Sequence, residues 1–242
     1  MKLKITSYIL LSLTFLFLTN LVYMNYALHA RTGLRYTGAN PHAAADKLVY
    51  LSMIQQGRGG ILFMKNLHTV DPQRGFLLSP HWYLIGQTAR IFDISNNASY
   101  QIYRVVLTIL FIVLLYILLS KLFQKTFDFI MASALVFFSG GFGWYVLLRF
   151  PELLATDKGQ VKFLNTPIDL YVTEGNTLLN FTQAPLFSLS QVLLLLIFYL
   201  FVRYSREKNF VPDIVNGALT AFLVLIHPYD FPIIFAVLGS WS

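Results

Sequence analysis

Long apolar runs recur along the chain, and polar stretches of unequal length separate them. The first run extends from Ile5 to about Leu28 and the second from Tyr100 to Leu122, with a clean core from Val105 to Leu119. The third covers Phe129 to Leu148, the fourth Pro185 to Val202, and the fifth starts near Ile214 and reaches Asp230. A further apolar segment, Phe231 to Trp241, follows. Runs of about 18 or more apolar residues match the hydrocarbon thickness of a bilayer when helical. The pattern predicts an all-α, polytopic helical membrane protein. It has at least five transmembrane helices, at about 5–28, 100–122, 129–148, 185–202 and 214–230, in a single membrane domain over 1–242. Within the third run, Ser139-Gly140-Gly141-Phe142-Gly143-Trp144 supplies small residues that permit close helix packing or a kink. Pro228 is expected to break or bend the fifth span.

The polar stretches are 29–99 and 149–183. Basic residues in the remaining connections set their side: Lys2 and Lys4, then Lys121 and Lys125, then Arg203, Arg206 and Lys208 fall together if the spans are as drawn. That side is the cytoplasm by the positive-inside rule. The expectation is a multi-pass protein of the cytoplasmic (inner) membrane with a cytoplasmic N-terminus and both main loops outside. The first run is longer than a signal-peptide core, and Leu28 is a poor residue before a cleavage site, so it reads as an uncleaved anchor. The apolar run that ends at Ser242 points to a chain truncated at its C-terminus.

Stretch 40–100 carries the readable local code. Asn40-Pro41 is a helix start, with Asn as N-cap and Pro at the first helical position. A helix from there places His42, Asp46, Tyr50 and Met53 on one stripe, with Asp46 beyond the first turn, where the helix dipole explains it poorly. Ser79-Pro80 repeats the signal, and a short amphipathic helix follows from His81 to Phe92. Trp82 and Tyr83 near its start suit a membrane–water interface. Gln56-Gly57-Arg58-Gly59-Gly60 and Asp71-Pro72-Gln73-Arg74-Gly75 mark turns.

Composition narrows the chemistry. The chain is 56% hydrophobic and 12% charged, with a mean hydropathy of +0.61; a soluble domain carries about twice that charged fraction. The net charge of +7 lies at helix ends without a basic stripe, which argues against nucleic acid as a partner. With no cysteine, disulfides, thiolate nucleophiles and Cys-type zinc sites are excluded. No phosphate loop, dinucleotide fingerprint or zinc-protease motif is present.

The layout resembles the GT-C superfamily of membrane glycosyltransferases, mannosyltransferase-like enzymes that include many uncharacterised bacterial members. The matching stretches are Ala45-Asp46-Lys47-Leu48-Val49-Tyr50-Leu51, Gln55-Gln56-Gly57, Asn66-Leu67-His68-Thr69 and Pro80-His81-Trp82-Tyr83. Later come Pro167-Ile168-Asp169-Leu170, Glu174-Gly175-Asn176 and Ile226-His227-Pro228-Tyr229-Asp230. The family's Asp-Glu pair is absent, because Lys47 follows Asp46. The resemblance implies transfer of a sugar from a polyprenyl-phosphate carrier to a glycan, lipid or protein acceptor on the outer face. An apolar groove between helices would hold the carrier's tail. Inverting transfer needs a base for the acceptor hydroxyl, which a carboxylate can provide, and donors or positive charge at the leaving phosphate.

Each candidate has a plainer alternative. Asp46 is the candidate base, or a structural acid bonded to His42 or a loop amide. Asp71 is a second candidate acid that places the acceptor or a divalent cation, or the closing residue of an ordinary turn. His42 tunes Asp46 or lies on the surface. Arg104 binds the donor phosphate or snorkels to headgroups. Asp169 and Glu174 contact substrate from the second outer loop. His227 and Asp230 lie in the outer half of the bilayer, where ionisable groups are costly. They form part of the site, or a structural pair that closes a helix break. Two other functions compete: a transporter or flippase subunit for lipid-linked glycans, and a non-enzymatic membrane scaffold.

Overall fold

The computed structural model describes residues 2–29, 36, 38, 44–150, 156–157, 160–161, 172, 176–205 and 210–241. In chain order the elements are α1 (Lys2–Leu28), α2 (Ala44–Arg58), β1 (Phe63–Met64), β2 (Leu77–Leu78), α3 (Pro80–Ile91), α4 (Asn96–Leu122) and α5 (Thr126–Phe138). Then come α6 (Gly143–Arg149), β3 (Thr156–Asp157), β4 (Gln160–Val161), α7 (Thr177–Gln183), α8 (Pro185–Tyr204) and α9 (Val211–Ile226). A single 3₁₀ turn (Pro228–Asp230) leads into α10 (Phe231–Trp241). Among the described residues the protein is all-α apart from two short antiparallel ladders, β1 with β2 and β3 with β4.

Among the described residues, three helices are long and apolar enough to cross a membrane: α1, α4 and α8. The predicted third span is not one helix. It divides into α5 and α6, with Ser139 leaving the helix in extended backbone. The Gly140-Gly141 pair costs helix stability at each position. A Cβ on Gly140 would also meet the Asn176 side chain at 2.7 Å, so the break is a close-packing site. At thirteen residues, α5 is about 20 Å long. The predicted fifth span is α9, sixteen residues that start at Val211 and end before Pro228.

The chain falls into two compact units, one of Met1–Arg35 with Leu119–Gln183 and one of Tyr36–Leu118 with Ala184–Ser242. In the first unit, the buried residues of α1 are Tyr8, Ser12, Phe15, Thr19 and Tyr23, one stripe at helical spacing. Phe15 stacks on Phe137 at 4.8 Å and meets Phe181 edge-on at 5.4 Å. The Tyr23 hydroxyl donates to the Thr182 carbonyl at 2.5 Å. The other faces of α1 are also apolar, with Leu10 and Leu13 exposed; a helix that is apolar all round belongs in a core or a bilayer. Lys4 donates to the Phe123 carbonyl at 3.0 Å and lies over the Phe129 ring. The basic N-terminus and the basic α4–α5 connection therefore share one end of this unit.

In the second unit, α2 and α3 cross at a pair of glycines. A Cβ on Gly57 would meet Trp82 O and Tyr83 Cα at 2.8 Å, and one on Gly86 would run into the Ile54 carbonyl and the Arg58 amide. Around this crossing Ile54, Met64, Trp82, Ile85, Tyr100 and Ala184 form a buried cluster. Each such large apolar side chain contributes about 2 kcal/mol on burial. Trp82, expected at a membrane–water interface, is instead a core residue, 2% exposed and stacked on Tyr50 at 4.8 Å. A second cluster joins α8, α9 and α10 through Leu193, Leu194, Ile197, Leu223, Ile226 and Ile234.

Candidate functional site

The second unit gathers most of the candidate residues. Two helical turns of α2 decide which of them are buried. Its buried positions include Lys47, Ile54 and Gly57, with Tyr50 and Leu51 half-buried. Lys47 stands seven residues before Ile54, two helical turns away on the same face. Asp46 is rotated from it by about 100° and is exposed. The sequence-based stripe through Asp46 is therefore out of phase with the buried face by about one residue. Asp46 also sits in the first turn of α2, where a carboxylate favours the helix dipole. The expected helix start at Asn40-Pro41 lies outside the described residues. No described residue bonds its carboxylate. His42, its expected partner, lies outside the described residues.

Lys47 is the residue that sequence reading missed. Its amine donates to the Gly38 carbonyl and to Asn97 Oδ1 at 2.6 Å, and it lies 4.9 Å from the centre of the Tyr100 ring. Gln101 Nε2 donates to the same Gly38 carbonyl at 3.2 Å, and Gln101 Oε1 accepts from Arg104 Nε at 2.8 Å. Arg104 is 1% exposed, so it does not snorkel to a surface; it belongs to this buried network. Burial, and secondarily the Arg104 charge, hold the Lys47 ammonium down to about 8. The signal available in the sequence was the spacing of Lys47 from Leu51 and Ile54. Gly38 ties the network together with a left-handed backbone, φ +75°, and with Asn97 packed where a Cβ would go.

The same unit holds an apolar cavity of about 130 Å³, lined by His81, Leu84, Ile85, Tyr103, Leu107, Pro185, Leu189 and Phe222. Its volume approaches that of an engineered cavity that binds benzene. His81 is buried, and neither ring nitrogen has a hydrogen-bond partner. Burial holds its imidazole down to about 3, so this wall of the cavity is uncharged at neutral pH. In the sequence, nothing separates His81 from a surface histidine at a helix start.

Asp71 occupies an exposed turn. Thr69 Oγ1 donates to its carboxylate at 2.8 Å, and the Asp71 amide donates back to Thr69 Oγ1 at 3.2 Å, the geometry of a turn-closing acid. His227 and Asp230 are both buried and joined by His227 Nδ1 to Asp230 Oδ2 at 2.9 Å. His227 ends α9, and Pro228–Asp230 forms the 3₁₀ turn. The helix therefore breaks at the proline as expected, and the pair spans the break. Phe187 and Tyr229 pack edge-on to the His227 ring. Asp169 and Glu174 lie outside the described residues. Among the described residues no three His, Asp or Glu side chains converge as a metal site, and neither Asp46 nor Asp71 sits in a ready-made cation cage.

No family model matches the chain, and neither a curated protein nor a solved structure is detectably similar to it.

Proposed function

We propose that the protein is a multi-pass membrane glycosyltransferase of the GT-C kind. It moves a sugar from a polyprenyl-phosphate carrier to an acceptor at the outer face of the cytoplasmic membrane. The observation that carries this reading is the composition of the second unit. An exposed carboxylate, Asp46, stands one residue before Lys47 on α2, Lys47 shares a buried polar network with Arg104 of α4, and an apolar cavity lies in the same unit. The three features answer the three needs of the chemistry: a base for the acceptor, positive charge toward a phosphate, and a dry seat for hydrocarbon.

In this reading Asp46 accepts the proton of the acceptor hydroxyl as the oxygen attacks the anomeric carbon. The bond from that carbon to the carrier phosphate breaks, and the phosphate leaves with the electron pair. Lys47 and Arg104 favour the departing charge. An amine held near 8 stays charged at neutral pH and loses that charge in mild alkali. Asp71, already engaged by Thr69, orders its turn. The His227–Asp230 pair stabilises the break between α9 and α10. The inner-membrane orientation draws support from the clustering of Lys4 with the α4–α5 connection.

The test is a transfer assay with polyprenyl-phosphate sugars in nanodiscs, run on the wild type and on Asp46→Asn. The expected result is turnover that disappears in the variant while its expression and unfolding temperature hold. Equal turnover in both would remove Asp46 as the base. Carrier binding without turnover in the wild type would favour a transporter, and no binding at all would favour a scaffold.

A further inference from the structure

The segment between α2 and α3 holds apolar side chains out into the surroundings on a firmly built frame. Phe63, Leu67, Val70 and Phe76 are exposed, Val70 fully so at 101%. Such a display in a floppy loop would mean little. Here the backbone is pinned at every level. Gln56 of α2 clamps Lys65 from both sides, accepting from its amide at 2.9 Å and donating to its carbonyl at 3.0 Å. Asn66 and Gln73 bridge the two arms, with the Asn66 amide donating to Gln73 Oε1 at 2.9 Å and Gln73 Nε2 donating to the Asn66 carbonyl at 2.7 Å. The Asn66 side chain also accepts from the His68 amide at 3.0 Å, and the Thr69–Asp71 turn closes the tip. Ordering this many groups to keep apolar surface in water would cost free energy with no return.

We propose that this hairpin, residues 61–76, is a wedge that seats its apolar tip in the lipid headgroup layer of an anionic leaflet. Two observations select a lipid surface over other occupants. The base of the hairpin is anchored at the ends of apolar helices: Met64 is buried in the cluster that contains Tyr100, near the start of α4, and Ala184, just before α8. From Met64 to Val70 the chain reaches at most about 20 Å, so the tip stays within range of the layer in which those helices end. The charge is also suitable. Lys65 and Arg74 are exposed, and Asp71, occupied by Thr69, is the one acid in the segment. Apolar tips flanked by basic residues bind anionic interfaces. The proposal rests on the membrane part of the reading above and not on its transfer chemistry.

The absence of cysteine makes the test direct. Val70→Cys, and separately Leu67→Cys, is labelled with an environment-sensitive fluorophore in the otherwise unaltered chain. Each is reconstituted in nanodiscs of anionic or zwitterionic phospholipid, with nitroxide lipids as depth quenchers. Leu10→Cys, on the exposed apolar side of α1, reports membrane embedding independently. The expected result is blue-shifted emission at both hairpin positions, quenched by headgroup-level nitroxides and more strongly in anionic discs. Water-like emission at the hairpin with quenching at Leu10→Cys would overturn the wedge and leave the membrane reading standing. Water-like emission at all three positions would overturn both. Blue-shifted emission that nitroxide lipids leave unquenched would mean that protein covers the tip, and would also overturn the proposal.

Discussion

Two aspartates of the second unit, Asp46 and Asp230, look alike in the sequence. Each lies near a proline and a histidine in the sequence. The structure treats them as opposites. Asp230 is 2% exposed and bound to His227 at 2.9 Å, so it is committed to holding the α9–α10 break. Asp46 is exposed in the first turn of α2, and no described residue bonds it. A carboxylate whose lone pairs are engaged in a buried pair serves the fold first. One left open to the surroundings can accept a proton from a bound molecule. The physical difference is desolvation: a buried acid must be satisfied by the protein, and that satisfaction removes its freedom to react.

Removing the engaged acid gives the largest expected effect. Asp230→Ala leaves His227 buried without its carboxylate and is expected to cost about 3 kcal/mol or more, read as a drop in unfolding temperature and in yield. A variant of wild-type stability would show that the pair does not hold the break. Next is the frame that positions Asp46. Gly86→Ala drives a methyl group into the α2 backbone and is expected to cost about 1–3 kcal/mol. It should loosen α2 against α3, with faster amide exchange across Lys47–Ile54.

His81→Phe tests a buried polar group with no partner. Loss of two unsatisfied nitrogens is expected to stabilise the fold by about 1 kcal/mol, measured by denaturant unfolding in detergent. The wild type has a folded histidine near 3 against an ordinary 6.5. Its stability should fall as pH drops from about 6.5 toward 3, because only the unfolded chain takes up the proton. His81→Phe should lack that part of the slope.

Lys47 works in the other pH range. Its folded value of about 8 lies below the ordinary 10.5, so the unfolded chain binds more protons between those values. Stability should therefore rise from about pH 8 to 10.5, and Lys47→Met should remove this rise. Activity that needs the charged amine should decline around pH 8, where the folded amine gives up its proton. The smallest effect on stability is expected at the open acid. Asp46→Asn should leave the unfolding temperature unchanged while transfer is lost, and a matching loss of stability would place Asp46 with Asp230 after all.

The sequence by itself determined the helical class, three of the five expected spans as long apolar helices, the α3 start at Ser79-Pro80 and the break at Pro228. These follow from local rules: apolar length, helix-start chemistry and the missing amide of proline, each written within a few consecutive residues. Tertiary structure decided the rest. Which face of α2 turns inward depends on Gly57 and Gly86 meeting across a crossing that no local pattern encodes. That crossing buried Lys47 and left Asp46 outside, one residue away from the phase that sequence spacing suggested. It also drew Trp82 from an expected interface into a core. The Gly140-Gly141 break was legible as a possible kink, but only Asn176, some 36 positions further along, explains why the chain needs it there. Burial is a property of what arrives from elsewhere in the chain, and His81, Lys47 and Arg104 acquire their chemistry from it.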